Sequence, residues 1–295
     1  MTMPRRSRST LLLQQRVTAI RRMLPGARDG DVRAVHQARV ATRRLREALP
    51  LISAGKSGRR LERAARSLTG VLGTVRELDV ALQMLQELTR SNGAPASAIA
   101  ALRTAMSNER LILQRDAAKQ IDGIDMERLE RKAVQVLERR AVESEHPVDR
   151  QARVLAARRR AARRAQRVEA AVDAAGAMYL PDRLHQVRIA VKRLRYALEI
   201  VRDLTRSRAE ARIRFLKRMQ DLLGRMHDLE VLVARTRGLQ AAAVPDLQLS
   251  ADLDQLVRRL ETEARQLHGR YLAQRRALLD LCNRVVAAGE PRQVA

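Results

Sequence analysis

Apolar residues recur every three or four positions along almost the whole chain, which is the spacing of one face of an α-helix. Clusters of glycine, proline and other turn-forming residues interrupt the pattern, and no segment shows the strict alternation of a β-strand. The pattern predicts helices at roughly 8–24, 32–53, 59–90, 97–120, 126–142, 150–175, 183–205, 208–240 and 250–287. The fold class that follows is all-α.

Two of the predicted helices return in the second half of the chain. The matching segments are VHQARVATRRLREAL (35–49) with LHQVRIAVKRLRYAL (184–198), and LGTVRELDV (72–80) with LGRMHDLEV (223–231). A repeat of this kind indicates a duplicated structural unit. We therefore predict two bundles of four helices, one over 1–145 and one over 146–295, that together form one domain.

Each repeated helix carries an apolar stripe that would pack against other helices. The first helix and its copy supply Val35, Ala38, Thr42, Leu45, Leu49 and Ile52, and Leu184, Val187, Val191, Leu194, Leu198 and Val201. The helix at 59–90 and its copy supply Leu61, Ala64, Leu68, Val71, Val75, Leu78, Leu82 and Leu85, and Phe215, Met219, Leu222, Met226, Leu229 and Val233. These residues are the predicted core.

A second stripe, made of histidine and basic residues, lies one position after the apolar stripe. It consists of His36, Arg39, Arg43 and Arg46 in the first copy, and of His185, Arg188, Lys192 and Arg195 in the second. Like charges on neighbouring helical turns repel by a few tenths of a kcal/mol per pair. A fold has little reason to repeat this arrangement, so we infer a ligand with regularly spaced negative charge. Other residues could widen the stripe or form a second wall, namely Arg44, Arg193, Arg63, Arg66, Arg214, Lys217 and Arg218.

The charge balance also points to an anionic partner. The chain has 59 lysine and arginine residues against 33 aspartate and glutamate residues, a formal net charge of +26. Nucleic acid is the main alternative ligand, as for a nucleoid or regulatory protein, and non-specific contact with it stays open. Single-strand binders, however, stack bases on aromatic side chains, and this chain contains three tyrosines, one phenylalanine and no tryptophan. Cations without aromatic residues suit a polymer of phosphates that carries no bases.

Catalytic and membrane signatures are missing from the sequence. There is no Walker loop, no G-x-G-x-x-G motif and no nucleophile elbow, so we expect a binding protein rather than an enzyme, with no cofactor. The single cysteine, Cys282, cannot form an internal disulfide and is interpreted as a small buried residue. Neither a signal-peptide core nor a membrane-spanning apolar segment occurs, which predicts a cytoplasmic protein without membrane contact.

The two histidines of the stripe, His36 and His185, allow three interpretations. As metal ligands they would stand among cations with no further His or Cys at ligand spacing. As catalytic bases or phosphoacceptors they would lack an orienting carboxylate. As donors to a phosphate oxygen, or as satisfied half-buried side chains, they need nothing further. We therefore expect no metal site.

Two other features have competing explanations. Asp79 and Glu230 each follow a core leucine. Their carboxylates either are buried and hold the stripe arginines in place, or are exposed and pair with Arg76 or His227. The arginine-rich segment 150–167 has no counterpart in the first half. We interpret it as a solvated or secondary electrostatic face.

The repeated segments resemble the CHAD domain family, which is named for a conserved histidine in an α-helical domain. VHQARVATRRLR and LHQVRIAVKRLR are similar to its two histidine helices, and LGTVRELDV and LGRMHDLEV are similar to its two glycine-acid helices. The resemblance implies two four-helix bundles related by pseudo-twofold symmetry, with a basic groove or pore between them.

The resemblance also implies a ligand and a site. The ligand is inorganic polyphosphate, and the location is the polyphosphate granule. Carried over residue by residue, the site consists of His36, Arg39, Arg43, Arg44, Arg46, His185, Arg188, Lys192, Arg193 and Arg195. Arg76 stands where the second copy has His227, so a histidine at that position is not essential in both halves. An accessory or scaffold role for a polyphosphate-metabolising enzyme is a further alternative, and the oligomeric state stays open.

Overall fold

In the computed structural model the chain folds into helices, and the described residues contain no strand. The structure describes residues 8–52, 56–90, 93–125, 127–128, 131, 133–134, 147–205, 209–242 and 246–289. Within these ranges the helices are α1 (Arg8–Arg28), α2 (Val32–Ile52), α3 (Lys56–Thr89), α4 (Ala96–Asp122), α5 (Pro147–Ala175), α6 (Pro181–Thr205), α7 (Glu210–Ala242) and α8 (Leu247–Ala287). The predicted all-α class is confirmed.

The helix boundaries agree with the apolar pattern except at the end of α1. The sequence predicted that α1 ends before Pro25, but the helix continues to Arg28. A proline inside a helix removes one backbone hydrogen bond. Burial of Leu24 and Ala27 on either side of Pro25 offsets that loss and keeps the last turn helical. Most of the predicted helix at 126–142 lies outside the described residues.

Each half of the chain closes on itself in the same order. α1 packs on α2, α2 on α3, α3 on α4, and α4 returns to α1, and the sequence of contacts repeats from α5 to α8. The halves meet through matching helices, α2 with α6, α3 with α7 and α4 with α8. The buried apolar residues form two clusters, and each cluster contains residues of both halves. The pseudo-twofold relation and the predicted unit boundaries remain predictions.

The apolar stripes form the core, with a small rotation relative to the sequence expectation. On α2 and α6 the described members of the stripes are buried, including Thr42, whose hydroxyl accepts a hydrogen bond from Thr69 at 3.0 Å. On α3, Ala65 and Leu72 are buried rather than the predicted Ala64 and Val71. On α7, Leu216 and Leu223 are buried rather than the predicted Phe215 and Leu222. A helix that packs against partners on two sides buries a wider face than one narrow stripe.

Polar contacts fix the ends of helices. Asp246 caps α8 by accepting hydrogen bonds from the backbone N–H groups of Gln248 and Leu249 at 3.0 and 3.1 Å. Asp31 accepts from the N–H of Ala34 at 2.6 Å in the first turn of α2. Gly30 precedes it with a positive φ of 85°, a backbone conformation that glycine adopts without strain.

Both explanations offered for Asp79 and Glu230 were wrong. Asp79 is buried, as one of them required, but its partner is Arg110 of α4 at 2.6 Å rather than a stripe arginine. Arg110 also donates to the carbonyl of Gly30 at 2.8 Å. Glu230 accepts a hydrogen bond from the hydroxyl of Tyr179. Asp79 thus connects α3, through Arg110, to the turn before α2. Glu230 connects α7, through Tyr179, to the turn before α6.

Two smaller expectations concern the cysteine and the membrane. Cys282 is fully buried in the core, and burial raises the pKa of its thiol to about 12. It is therefore a packed apolar residue, as predicted. Across the described ranges, every helix is too short or too polar to serve as a membrane span.

Candidate functional site

The basic stripes of α2 and α6 lie opposite each other where the two helices meet. Arg39 and Arg43 of α2 are charge neighbours of Arg188 and Lys192 of α6. All four side chains are half-buried. We call the space between α2 and α6 that these four residues line the central groove. The structure thus brings these four residues of the two stripes together.

Burial and like charge both act on the cations of the central groove. Burial, followed by the charges of Arg43 and Arg188, lowers the pKa of Lys192 to about 6. Burial, followed by the charges of the same two arginines, lowers the pKa of Arg39 to about 9. Among the described residues, no carboxylate lies within 4.0 Å of any of the four side chains. Arg188 has the more distant carboxylates of Asp228 and Glu77 as neighbours, and their charges oppose the effect of burial on its pKa. A half-buried cation without a directly paired carboxylate costs free energy, which an anionic ligand would relieve.

Two glycines allow the groove arginines to approach the neighbouring helices. A Cβ atom placed on Gly73 of α3 would lie 3.7 Å from Nε and Nη2 of Arg39. A Cβ atom on Gly224 of α7 would lie 3.8 Å from Nε of Arg188. The Nε atoms of both arginines are buried and have no hydrogen-bond partner among the described residues. The glycine of each repeated LG segment therefore provides room for one arginine of the stripe.

A pocket of about 390 Å³ beside α5 shares Arg43 and Lys192 with the central groove. We call it the α5 pocket. Its basic lining residues are Arg43 and Arg46 of α2, Arg66 of α3, Arg160 and Arg164 of α5, and Lys192 and Arg193 of α6. Its acidic lining residues are Glu47 and Glu62. The positive side chains outnumber the negative ones, so the pocket favours an anion.

The matching arginines on the other side of the interface are already neutralised. Arg195, the counterpart of Arg46, pairs with Glu199 and donates to Oε1 of Gln220 at 3.0 Å. Arg44, the counterpart of Arg193, places its Nε 3.3 Å from the second oxygen of Glu199. The predicted role of Arg44 and Arg195 in binding phosphate stays a prediction. In this structure both residues bind a carboxylate of the protein itself.

The histidines differ between the two halves. His36 is largely exposed, and partial burial, followed by the charge of Arg76, lowers its pKa. His185 is half-buried, and its Nδ1 lies 3.1 Å from Nδ1 of His227. Burial lowers the pKa of His227 to about 4. One ring of the pair must donate and the other must accept at this distance, so at neutral pH the two rings share one proton between the facing nitrogens.

The remaining predicted wall residues lie on exposed helix faces. Arg63 of α3, and Arg214, Lys217 and Arg218 of α7, are exposed, whereas Arg66 belongs to the α5 pocket. The guanidinium of Arg218 lies 5.7 Å from the centre of the Phe215 ring. The structure thus brings Arg66 to the α5 pocket, and the role of the other four as a second wall remains a prediction.

Sequence reasoning missed several residues of the α5 pocket. Arg160 and Arg164 belong to the arginine-rich segment that was interpreted as a solvated or secondary face, and they donate to Glu47 at 2.9 and 3.3 Å. Tyr196 also lines the pocket, and its hydroxyl is a neighbour of Arg43. The sequence did contain a signal that the two halves differ here, since the first repeated segment has Glu47 at the position where the second has Tyr196.

The residues of the site do not suggest a metal centre. Within the described ranges, no group of three or more His, Cys, Asp or Glu side chains is placed to hold a metal ion. The His185–His227 pair has cationic neighbours, Arg188 and Lys192, which would repel a divalent cation. The side chains of the site are mostly cationic, so they fit an anionic ligand rather than a metal cation.

Comparison with known protein families settles the relationship of this chain. The profile of the CHAD domain matches residues 11–237. The chain belongs to the CHAD domain family. The crystal structure of the CHAD domain from the plant Ricinus communis is similar with a TM-score of 0.57 and 24% identity, covering 96% of this chain and 90% of that one. PptA from Streptomyces chartreusis is similar with a TM-score of 0.54 and 19% identity, covering 97% of this chain and 99% of that one.

The two structural neighbours support the helical fold of this CHAD domain over nearly its full length. At 24% and 19% identity they carry no residue-level argument about its site. None of the curated proteins compared with the chain matches it.

Proposed function

We propose that this CHAD domain binds inorganic polyphosphate in the central groove and does not catalyse a reaction on it. The family is associated with polyphosphate binding. The observation that carries the proposal for this chain is the recessed set of cations, Arg39, Arg43, Arg188 and Lys192, which have no carboxylate within 4.0 Å among the described residues. A thin chain of phosphates can reach side chains that lie between two helices, because no base or sugar holds it away.

The aromatic residues support polyphosphate over single-stranded nucleic acid. All four lie in the described part of the chain, and none is exposed. Tyr196 and Tyr271 are buried, and Tyr179 and Phe215 are partly buried. Base stacking needs accessible rings and contributes about 1–3 kcal/mol per base. Without accessible rings, the protein can bind a nucleic acid only through its phosphates, and polyphosphate carries more phosphates per length of chain.

The expected affinity is moderate and depends on chain length. Ten contacts between the stripe residues and phosphate, at about 0.5–1 kcal/mol each, total roughly 5–10 kcal/mol. This range corresponds to dissociation constants from about sub-millimolar to sub-micromolar. A longer polymer engages more cations at once and should bind more tightly than a short one.

The cellular role that we propose is attachment to polyphosphate granules in the cytoplasm. A protein with a net charge of +26 that holds the polymer by its phosphates would accumulate where the polymer is stored. A role as an accessory or scaffold to a polyphosphate-metabolising enzyme uses the same site, with the bound polymer as the shared partner.

The test of the proposed ligand is a competition assay between long-chain polyphosphate and duplex DNA. The protein is incubated with labelled DNA at about 150 mM salt, and unlabelled polyphosphate is added at equal phosphate concentration. We expect polyphosphate to displace the DNA, with long chains more effective than short ones. A preference for DNA would contradict the proposal and favour a nucleoid or regulatory protein, and release of phosphate from the polymer would show catalysis.

Substitutions of Gly73 and Gly224 should separate helix stability from ligand binding. Alanine at both positions is expected to raise the midpoint of thermal unfolding, because glycine inside a helix costs about 1 kcal/mol relative to alanine. The added Cβ atoms would make only ordinary contacts, at 3.7 and 3.8 Å from the arginines. Leucine at both positions would displace Arg39 and Arg188 and should weaken polyphosphate binding about tenfold.

The matched pair of double variants makes this result specific. Differential scanning fluorimetry reports the unfolding midpoint, and the competition assay reports the affinity. Equal affinities for the alanine and leucine variants would show that the position of the two guanidinium groups over the glycines is irrelevant to binding.

A further inference from the structure

The α5 pocket contains an anion site that lies outside the duplicated stripes. Nη2 of Arg160 donates to one oxygen of Glu47 at 2.9 Å, and Nη2 of Arg164 donates to the other oxygen at 3.3 Å. The three side chains are 21%, 13% and 13% exposed, so the cluster is largely withdrawn from solvent but still open to the pocket. Two guanidinium groups thus bind a single carboxylate, and the Nε of Arg160 is buried without a partner among the described residues.

The charges around this cluster remain unbalanced. Arg46 and Arg193 line the same pocket, and no carboxylate of the described residues lies within 4.0 Å of either one. Burial lowers the pKa of Arg164, and the charges of Arg160 and Arg193 add to that effect. Glu47 and Glu62, the two carboxylates of the pocket, therefore offset only part of the positive charge of its seven basic residues.

The two ends of the interface differ at equivalent positions. On one side Glu199 binds the stripe arginines Arg195 and Arg44 directly. On the α5 side, Glu47 binds Arg160 and Arg164 of α5. The equivalent stripe residues Arg46 and Arg193 have no carboxylate within 4.0 Å among the described residues. α1, which occupies the place of α5 in the first half, contributes Arg16 instead, which lies 3.6 Å from a carboxylate oxygen of Asp203 and donates to the carbonyl of Arg44 at 2.6 Å. The groove therefore has one end that is neutralised and one end that is positively charged.

We propose that Arg160 and Arg164 form an additional phosphate subsite, which extends the central groove on one side, and that Glu47 occupies this subsite when no polymer is bound. The inference rests on the proposed function. A phosphate unit presents two or more oxygens to the same pair of guanidinium groups, as the carboxylate of Glu47 does. Binding of the polymer releases Glu47 toward the solvent side of the pocket, so Glu47 competes with the ligand and limits its affinity.

A purely structural explanation makes the opposite prediction for Glu47. If the two ion pairs serve only to brace α5 against α2, loss of either partner loosens the interface, and binding at the groove weakens or stays unchanged. If Glu47 is a displaceable occupant, its neutralisation frees two arginines for phosphate, and binding becomes tighter. The affinity of a Glu47 variant for polyphosphate therefore distinguishes a structural brace from a displaceable occupant.

The experiment compares three variants of the full chain with the wild type. They are Glu47→Gln, the pair Arg160→Gln with Arg164→Gln, and, as a matched control, the pair Arg159→Gln with Arg163→Gln. Arg159 and Arg163 are exposed on the same helix and do not line the pocket. Long-chain polyphosphate is titrated into each protein at several salt concentrations, and circular dichroism checks that each variant keeps its helices.

We expect Arg160→Gln with Arg164→Gln to bind about tenfold more weakly, with the salt dependence of log K reduced by about 1.4, since each lost contact removes about 0.7. Glu47→Gln should bind at least about threefold more tightly, and the control pair should stay within about twofold of the wild type. Weaker or unchanged binding by Glu47→Gln, or equal binding by the two arginine pairs, overturns the subsite.

The two proposals fail in distinguishable ways. If the wild type prefers DNA to polyphosphate, the proposed function is wrong and the subsite loses its ligand. If the wild type prefers polyphosphate but the Arg160 and Arg164 pair behaves like the control, only the subsite is wrong. The arginine pairs decide the question by themselves should Glu47→Gln fail to fold.

Discussion

A variant in which Arg39, Arg43, Arg188 and Lys192 are all changed to glutamate is expected to lose measurable polyphosphate binding and to keep its helices. Four favourable contacts, each about 1 kcal/mol, would be replaced by repulsion, which lowers the affinity by about a thousandfold or more. The fold should tolerate the change at positions 43 and 192, because the new carboxylates there would lie in the pocket lined by Arg46 and Arg193, which are unpaired among the described residues. Titration with long-chain polyphosphate measures the loss, and circular dichroism measures the helix content.

A control with the same change in net charge is needed, since this protein attracts polyanions through its overall charge. Four arginines on exposed faces of α4 and α8 provide it, namely Arg103, Arg258, Arg270 and Arg276. Changed together to glutamate, they should reduce affinity modestly, by lowering the general attraction. Equal losses for the two variants would show that net charge, rather than the central groove, determines binding.

The second large effect concerns Lys192 and the pH dependence of stability in the absence of ligand. The pKa of Lys192 is lowered from 10.5 in its ordinary state to about 6 in the fold, first by burial and then by the charges of Arg43, Arg188, Arg39 and Arg193. Between these two pH values the unfolded chain binds a proton that the folded chain lacks. Stability contributed by Lys192 therefore rises as the pH rises from about 6 to about 10, by up to about 1.4 kcal/mol per pH unit.

Lys192→Met should remove this slope and stabilise the ligand-free protein at neutral pH, because the variant no longer has to bury an amine that prefers to be charged. Urea unfolding at a series of pH values measures the free energy of unfolding for both proteins. Lys217→Met, at an exposed lysine of α7, is the matched control and should keep the slope of the wild type. A Lys192→Met variant with an unchanged slope would show that the amine is charged and solvated in the folded state.

These two predictions share one physical cause. The central groove holds cations that destabilise the unliganded fold, and a site that is costly without its ligand is prepared to bind that ligand. Lys192 connects the two effects, since a phosphate beside its amine would raise the pKa and restore the charge. The protein should therefore take up a proton when it binds polyphosphate at neutral pH.

Several properties of the molecule could be predicted from the sequence because they depend on spacing along one helix. The 3.6-residue period places Val187 and Val191 on one face and Arg188 and Lys192 beside them, whatever the helix packs against. The repeat of this segment, together with the separate repeat of the LG segment, indicated two related units. Both conclusions survive small errors in helix ends, such as the extra turn of α1 after Pro25.

Other properties were decided by contacts between residues far apart in the chain. Arg195 and Arg46 occupy the same place in the repeat, yet Arg195 binds Glu199 and Gln220 while Arg46 faces a pocket. Arg160 reaches Glu47 from a helix whose arginines have no counterpart in the first half. Helical periodicity determines which face of a helix a side chain occupies. Which carboxylate meets which guanidinium depends on how whole helices are placed, and that placement is set by the packing of a core to which both halves contribute.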